Sequence, residues 1–321
     1  MTTTTPTRRS RRARRLLVVM ATVTALTLVS TVANAVATAS EKATLAPYGE
    51  TVTLAAGEIT VARNGGSGPT MVLLSGFGTP SPATDFAPLM RELTHFDVIV
   101  VEGFGYGYSD LDVAERTVEN ITSELHEVLA RLDVTTPVIL VGHSAGGPYA
   151  RYYATTYPGE VSAIIGIDPM AATTSSTEVG IPSPIEGIQR ATGLFRWVTT
   201  LAPGLIQPPG DAYTPEERAR TAAMTNWNYG NASNSDEWSR LGANSTIINE
   251  RPFPADIPVL ELLSSQSVES MSDWLPNHEA ELAGVTTHQL EVLEGPHYLH
   301  WSQSPVIAAT ISEFVSAYVS D

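Results

Sequence analysis

The sequence predicts an α/β fold in which helices cover both faces of a mostly parallel central sheet and a cap is inserted after the sixth strand. Short apolar runs rich in β-branched residues alternate with helical patterns, an order that is typical of parallel sheets. Two runs, at residues 70–74 and 97–101, are almost continuously hydrophobic, as expected of strands buried on both faces. From about residue 171 to residue 256 no such run occurs, and Pro, Gly, Ser, Thr and Asn become frequent.

The predicted elements follow one another from residue 51 to the C-terminus. A hairpin at 51–54 and 58–63 comes first, and the later strands are predicted at 70–74, 97–101, 138–141, 161–167, 259–263 and 289–293. Helices are predicted at 118–132, 145–157, 273–282 and 305–318, the last with proline in its first turn. The insertion, about 171–256, has helical patches and scattered aromatic residues: Phe195, Trp197, Tyr213, Trp227, Tyr229 and Trp238. We expect it to cover the sheet as part of one domain, residues 40–321.

Residues 1–39 form a separate segment. Six arginines between positions 8 and 15 precede an uncharged run from residue 16 to residue 40, the pattern of an export signal. Small residues offer cleavage sites at Ala33-Asn34-Ala35 and Ala35-Val36-Ala37, so we expect removal of a signal peptide near residues 35–39 and a secreted or envelope-associated product. The alternative is an uncleaved anchor, since about 20 apolar residues span a bilayer. Polar residues such as Ser30 and Asn34 dilute the run and weaken that alternative.

Composition limits the partners of the remaining chain. Without the six arginines, 12 of the 18 basic residues remain against 34 acidic ones, a net charge of about −22. Such a surface repels nucleic acid and anionic lipid, so we expect no nucleic-acid partner and no stable membrane partner beyond a possible N-terminal anchor. There is no cysteine, so the fold is stabilised by burial without disulfides.

Residues 142–146, Gly-His-Ser-Ala-Gly, fit the G-x-S-x-G pattern of a nucleophile elbow. They directly follow a predicted strand and precede a predicted helix, which is the context the motif requires. The glycines allow a turn that is too tight for side chains and lifts the Ser144 hydroxyl clear of the sheet. The turn also directs the unpaired N–H groups of the next helix toward the reacting centre. Ser144 is therefore the candidate nucleophile, and an ordinary Gly-Ser turn is the alternative.

A serine hydroxyl is a weak nucleophile until a base takes its proton, so a histidine is expected late in the chain. His297 follows the last predicted strand and is the candidate base. His300 is the only serious competitor, and we expect it to have a packing role. The backbone N–H groups of Ala145 and of Phe77, in the loop after the strand at 70–74, are the candidate oxyanion hole.

Four segments carry a family resemblance. They are Leu-Leu-Ser-Gly-Phe-Gly at 73–78, Glu-Gly-Phe-Gly-Tyr-Gly-Tyr-Ser-Asp at 102–110, Gly-His-Ser-Ala-Gly-Gly at 142–147 and Gly-Pro-His at 295–297. With them the chain resembles the α/β-hydrolase superfamily, in its single-domain esterase, lipase and peptidase branch, from residue 51 onward except for the insertion. It departs at Ser75, where many relatives carry histidine, and at Glu102, where many carry aspartate. We expect both departures to be structural.

The resemblance leaves the acid of the triad open. Many relatives carry it in a Gly-x-x-Asp turn after the seventh strand, but Ser-Ser-Gln-Ser stands there, at 264–267. Some lipases carry it at the end of the sixth strand within Gly-Leu-Asp-Pro, and this chain has Gly-Ile-Asp-Pro at 166–169. Asp168 is therefore the first candidate, with Glu269 and then Asp273 behind it. A strand-end aspartate that bonds its own turn is the structural alternative for Asp168.

Together these residues predict a serine hydrolase that cleaves carboxylic esters with Ser144, His297 and Asp168. We expect the cap aromatics to line a pocket for a small-molecule ester or amide with an apolar part. Peptide or amide cleavage and acyl transfer use the same triad and stay open, as does an inactive ligand-binding homologue. We expect no cofactor and no metal, since the chain lacks an H-E-x-x-H motif. The oligomeric state is not predicted.

Overall fold

A computed structural model describes residues 8–134, 137–171 and 185–319 of the chain. In this part of the chain eight strands form one sheet: β1 Glu50–Thr53, β2 Glu58–Arg63, β3 Thr70–Leu74, β4 Asp97–Glu102, β5 Val138–His143, β6 Val161–Ile167, β7 Val259–Ser264 and β8 His288–Leu293. Their order across the sheet is β1-β2-β4-β3-β5-β6-β7-β8. Strand β2 is antiparallel to both neighbours, and the other pairs are parallel. The mostly parallel α/β sheet predicted from the sequence is confirmed.

Helices precede the sheet, connect its strands and cover it. They are α1 Arg8–Thr44, α2 Pro82–Asp85, α3 Ala87–Glu92, α4 Val118–Arg131, α5 Gly146–Thr156, α6 Ile185–Thr192, α7 Leu194–Leu201, α8 Pro215–Asn228, α9 Ala232–Asn249, α10 Ser265–Ser270, α11 Trp274–Leu282 and α12 Ser304–Tyr318. Residues 185–249, with α6 to α9, are called the cap below. Residues 172–184 of the predicted insertion and residues 1–7 of the predicted leader lie outside the described residues.

The two faces of the sheet are buried because successive strand side chains point in opposite directions. In β3, Met71 and Leu73 pack in one core with α3 and α12, whereas Val72 packs in the other with α4 and α5. All three side chains are fully buried. This explains the near-continuous hydrophobic runs of the central strands and fixes the parallel strand ends that carry the loops of the candidate site.

Helix α1 leads into the sheet without a break at either predicted cleavage site. Within Arg14–Thr44 an 18-residue window has a mean hydropathy of 2.2, so the helix is long and apolar enough to cross a membrane by length and composition. The N-terminal segment is therefore compatible with a signal peptide or an anchor.

Glu102 ends β4 as a fully buried carboxylate. It accepts hydrogen bonds from the Tyr48 hydroxyl, from Ala83 N at 3.2 Å and from Tyr108 N at 3.0 Å. Burial raises the pKa of Glu102 to about 7, and these donors lower it only in part. Glu102 thus joins the chain before β1, the start of α2 and the turn after β4.

We predict that stability depends on the protonation of Glu102. The pKa is about 7 in the folded chain against 4.5 for an ordinary glutamate, so between these values the folded state holds a proton that the unfolded state releases. The free energy of unfolding should therefore fall as the pH rises through this window, by at most about 3 kcal/mol. Urea denaturation at several pH values across this window gives the slope of the free energy of unfolding against pH for the wild type and for Glu102→Gln. Equal slopes in the two proteins would contradict the assignment.

Candidate active site

The turn that carries Ser144 lies between β5 and α5 and is strained. Ser144 has a φ of 51°, in the left-handed region that non-glycine residues seldom occupy. A Cβ on Gly142 would lie 2.4 Å from Gly146 C, and a Cβ on Gly146 would lie 2.3 Å from Leu74 O. Side chains are therefore excluded at both glycines of the motif, which is the physical reason for the G-x-S-x-G spacing.

Asp168 lies at the end of the neighbouring strand β6, and backbone hydrogen bonds join its turn to the elbow. Ser144 N donates to Ile167 O at 3.4 Å, and Met170 N donates to Ser144 O at 3.0 Å. Asp168 itself has a φ of 42°, a conformation that aspartate tolerates better than most residues. The two adjacent parallel strands thus hold the candidate nucleophile and the candidate acid in a fixed relation.

The structure joins Asp168 directly to His297. His297 Nδ1 lies 2.6 Å from Asp168 Oδ2; the carboxylate is fully buried, and the imidazole is 36% exposed. Three further donors surround the carboxylate: Ser264 N at 2.9 Å, Trp274 Nε1 at 3.1 Å and Ser267 Oγ at 2.5 Å. Both oxygens are therefore satisfied, as a carboxylate removed from water requires.

The Ser-Ser-Gln-Ser segment after β7 has a role that the sequence analysis missed. Besides the two donors that it supplies to Asp168, Ser264 Oγ donates to Gly295 O at 2.6 Å, and Ser265 Oγ accepts from Gly295 N at 3.1 Å. Gly295 precedes His297 by two residues. The segment therefore positions both the acid and the loop of the histidine, at the place where many relatives carry the acid itself.

His143 links the elbow to the histidine loop. Its ring centroid lies 4.8 Å from that of His297, and its Nε2 lies 3.3 Å from the His297 carbonyl oxygen. Burial, with the charges of His300 and His297, lowers the pKa of His143 well below its usual range, so this imidazole is neutral. The residue directly before Ser144 therefore contacts the histidine loop.

The competing residues are occupied or remote. His300 is fully buried, and its Nε2 lies 2.7 Å from Asp85 Oδ2, so it forms a separate pair in the packing. Glu269 and Asp273 are exposed, and among the described residues neither bonds to His297. The geometry brings His297 together with Asp168 and not with either alternative acid.

The predicted oxyanion loop passes close to the elbow. A Cβ on Gly76 would lie 2.9 Å from Ser144 Cβ, and the Phe77 ring packs against Trp238 of the cap with centroids 4.9 Å apart. Within the described ranges, neither the Phe77 N–H nor the Ala145 N–H donates to a protein acceptor. Both donors are therefore available to a ligand.

A buried hydrogen-bond network connects this loop to the cap. Tyr106 donates its hydroxyl hydrogen to Glu237 at 2.8 Å and accepts from Gly78 N at 3.4 Å. Tyr149 of α5 also donates to Glu237, at 2.9 Å. Burial raises the pKa of Glu237. The glycine-rich turn at 103–108 thus carries a tyrosine that ties the cap to the oxyanion loop, which the sequence alone did not indicate.

A cavity of about 610 Å³ lies between the oxyanion loop, the histidine loop and the cap. Its aromatic lining is Phe77, Phe195, Tyr229, Trp238, Tyr298 and Trp301. Phe195 and Tyr229 stack with their ring centroids 3.6 Å apart. Three of the six aromatic residues noted in the insertion therefore line the cavity, while Trp197 is exposed and Tyr213 and Trp227 are buried elsewhere.

Outside the site, Glu261, His278 and Glu281 bring ligand-type atoms within 4.8 Å of one another. His278 Nδ1 lies 2.7 Å from Glu261, and Arg151 lies 3.2 Å from Glu281. Although burial lowers the pKa of His278, the hydrogen bond and charge of Glu261 raise it overall. With Arg151 and His278 as counter-charges, these residues fit a buried ion-pair cluster.

Comparisons with known proteins concern the fold of the chain. The model of the alpha/beta hydrolase fold family matches residues 69–210. The uncharacterised protein YbdG of Bacillus subtilis is 26% identical over 297 residues, which cover 86% of this chain and 88% of that protein. Lipase 1 of Psychrobacter immobilis is 29% identical over 141 residues, 43% of each chain. The crystal structure of epoxide hydrolase VrEH1 from Vigna radiata has a TM-score of 0.65 at 16% identity and covers 84% of this chain and 97% of that one.

The family match and the sheet topology lead to one conclusion about class. The chain has the α/β-hydrolase fold, and its residues 69–210 match the model of that family, as its four sequence segments indicated. The likeness to the solved structure covers 84% of this chain. It therefore shows the same fold over nearly the whole domain, and at 16% identity it shows only the fold.

We predict that Tyr106→Phe lowers the free energy of unfolding by about 1–3 kcal/mol, because a buried carboxylate then loses a charge-assisted donor. Urea denaturation at neutral pH measures the change. Tyr152→Phe is the matched control, since Tyr152 is also buried and its hydroxyl makes no hydrogen bond within the described residues. Equal effects of the two substitutions would show that the network contributes nothing specific.

Proposed function

We propose that this protein is an exported serine hydrolase that cleaves carboxylic esters, with Ser144 as nucleophile, His297 as base and Asp168 as acid. The observation that carries the proposal is the 2.6 Å contact between His297 Nδ1 and the fully buried Asp168, beside a strained turn at Ser144. An acid that orients a histidine next to a serine on such a turn is the arrangement that acyl transfer needs.

The proposed steps follow from the proton positions. With Nδ1–H donated to Asp168, His297 Nε2 is free to take the proton of Ser144 as its Oγ attacks the carbonyl carbon. The negative charge on the carbonyl oxygen is stabilised by the N–H groups of Phe77 and Ala145. His297 returns the proton to the leaving alkoxide as the ester bond breaks. Water, deprotonated by His297, then attacks the acyl-enzyme, and His297 returns that proton to Ser144 Oγ as the acyl–oxygen bond breaks and the carboxylic acid leaves.

The cavity supports an ester with an apolar acyl or alcohol group. Its volume of about 610 Å³ and its six aromatic side chains suit a small molecule with a large apolar surface. The likeness to a protein named as a lipase over 141 residues supports esters as the substrate class. The proposed position of the protein outside the cytoplasm rests on the basic and apolar N-terminal segment.

The nucleophile is tested by covalent labelling. A fluorophosphonate probe should label the purified wild type, and Ser144→Ala should abolish the labelling because the probe bonds to the serine oxygen. Gel fluorescence and intact mass measure the adduct. Thermal unfolding of both proteins serves as the control for folding, and labelling of a folded Ser144→Ala protein would disprove the assignment.

The acid is tested by a pair of matched substitutions. Asp168→Asn keeps the shape of the side chain but should lower kcat for nitrophenyl esters by about 10³–10⁴-fold, because the imidazole is then held in the wrong tautomer. Glu269→Gln should leave kcat within a factor of about two, since its side chain is exposed and does not bond to His297. The opposite result would move the acid to Glu269. A folded wild type that labels with the probe but hydrolyses no ester would point to amide cleavage or acyl transfer.

A further inference from the structure

The C-terminal half of α1 packs against the cap through a specific polar face. Ser30 Oγ donates to Thr192 O at 2.7 Å and accepts from Trp197 Nε1 at 3.0 Å. One turn later, Asn34 Nδ2 donates to Arg190 O at 3.0 Å. The polar residues that interrupt the apolar run of α1 are therefore on the side of the helix that contacts the cap.

Arg196 of α7 extends this face toward the end of α1. Its guanidinium donates to Asn34 Oδ1 at 2.7 Å, to Thr38 Oγ1 at 2.9 Å and to both carboxylate oxygens of Glu41. Residues 30, 34, 38 and 41 are three or four positions apart, so they share one side of the helix. The predicted cleavage near residues 35–39 would remove Ser30 and Asn34 and divide this interface.

The opposite side of the same segment is apolar and exposed. Val29, Val32 and Val36 are 66%, 63% and 65% exposed. Upstream, the side chains from Leu16 to Val29 make no apolar contact that buries them, and the 18-residue hydrophobic window is 0% buried. No part of the described chain covers this apolar side of α1, so it faces either water or an apolar phase.

The cap presents its own apolar surface beside α1. Six large side chains of α6 and α7 are between 48% and 80% exposed: Ile185, Ile188, Leu194, Trp197, Val198 and Leu201. Residues 185–201 contain one acidic and two basic residues, in a chain with 34 acidic residues against 18 basic ones. The surface therefore lacks the negative charge that repels anionic lipid elsewhere. Because Trp197 bonds to Ser30, this surface lies directly beside α1.

The length of the apolar part of α1 indicates that its exposed side and the apolar surface of α6 and α7 would lie at the same depth in a bilayer. Residues 16–29, before the first cap contact, rise about 21 Å as an α-helix, less than a hydrocarbon core of about 30 Å. The run from residue 16 to residue 37 rises about 33 Å, which matches that thickness. A spanning α1 would thus include Ser30 and Asn34, and the cap side chains next to them would lie within the hydrocarbon.

We propose that α1 is retained as a membrane anchor and that the apolar face of α6 and α7 is immersed in the same lipid bilayer. The arginines at positions 8–15 lie at the other end of the span, which places the catalytic domain on the extracytoplasmic side. Trp197 bonds to Ser30 and its ring is 53% accessible, so in this arrangement the ring faces the acyl chains. The proposal is independent of the reaction at Ser144.

Retention of α1 is tested on the full chain expressed in a bacterium with intact export machinery. We expect the protein in the membrane pellet after alkaline carbonate extraction, released by detergent, with an intact mass that includes residues 16–37. A soluble product whose N-terminus lies between residues 35 and 40 would overturn the proposal.

Immersion of the cap is tested by fluorescence quenching in vesicles of phosphatidylcholine brominated on its acyl chains. Subtracting the tryptophan emission of Trp197→Phe from that of the wild type gives the emission of Trp197. We expect brominated lipid to quench at least half of this emission. The double substitution Val198→Glu, Leu201→Glu should reduce the quenching at least twofold. Val306→Glu, at an exposed position of α12, is the control that should leave quenching unchanged. Equal Trp197 emission with and without bromine would overturn the immersion, whether or not the protein hydrolyses esters.

Discussion

The candidate site depends on one buried charge, the carboxylate of Asp168. A carboxylate at 0% exposure must be surrounded by donors, and here they come from the end of β7, from α10, from α11 and from the histidine loop. Each donor fixes the element that carries it, so the position of His297 follows from the need to satisfy Asp168. The serines after β7 replace the carboxylate that many relatives carry there, because the acid on β6 needs hydroxyl and amide donors at that place.

The cap is joined to the sheet by polar contacts as much as by apolar ones. Glu237 of α9 accepts from tyrosines on the turn after β4 and on the elbow helix, and one of these tyrosines also accepts from the oxyanion loop. The loop that carries Phe77 therefore depends on the cap for its position. This gives a physical reason for a large insertion over the site besides its aromatic lining of the cavity.

The sequence predicted those parts of the fold that depend on residues close together in the chain. The elbow at Ser144 requires glycine at two fixed positions, and buried parallel strands require continuous apolar runs, so both are visible in sequence. The acid was suggested by resemblance alone, and Asp168 Oδ2 lies 2.6 Å from His297 Nδ1. The role of Ser264 and Ser267 was not predictable, because a contact between residues about 100 positions apart leaves no periodic pattern. For the same reason Ser30 and Asn34 counted only as dilution of an apolar run, whereas both contact the cap.

The connection between α1 and the sheet is short. Residues 45–49 reach at most about 17 Å when fully extended. They are also tied down, since Tyr108 donates to Leu45 O at 3.2 Å and Arg220 donates to Ala46 O at 2.8 Å. The connection therefore does not let α1 rotate independently of the domain. A displacement of α1 also displaces the edge strand β1 and the cap. If α1 is held at a surface, the cavity under the cap therefore has one fixed orientation relative to that surface.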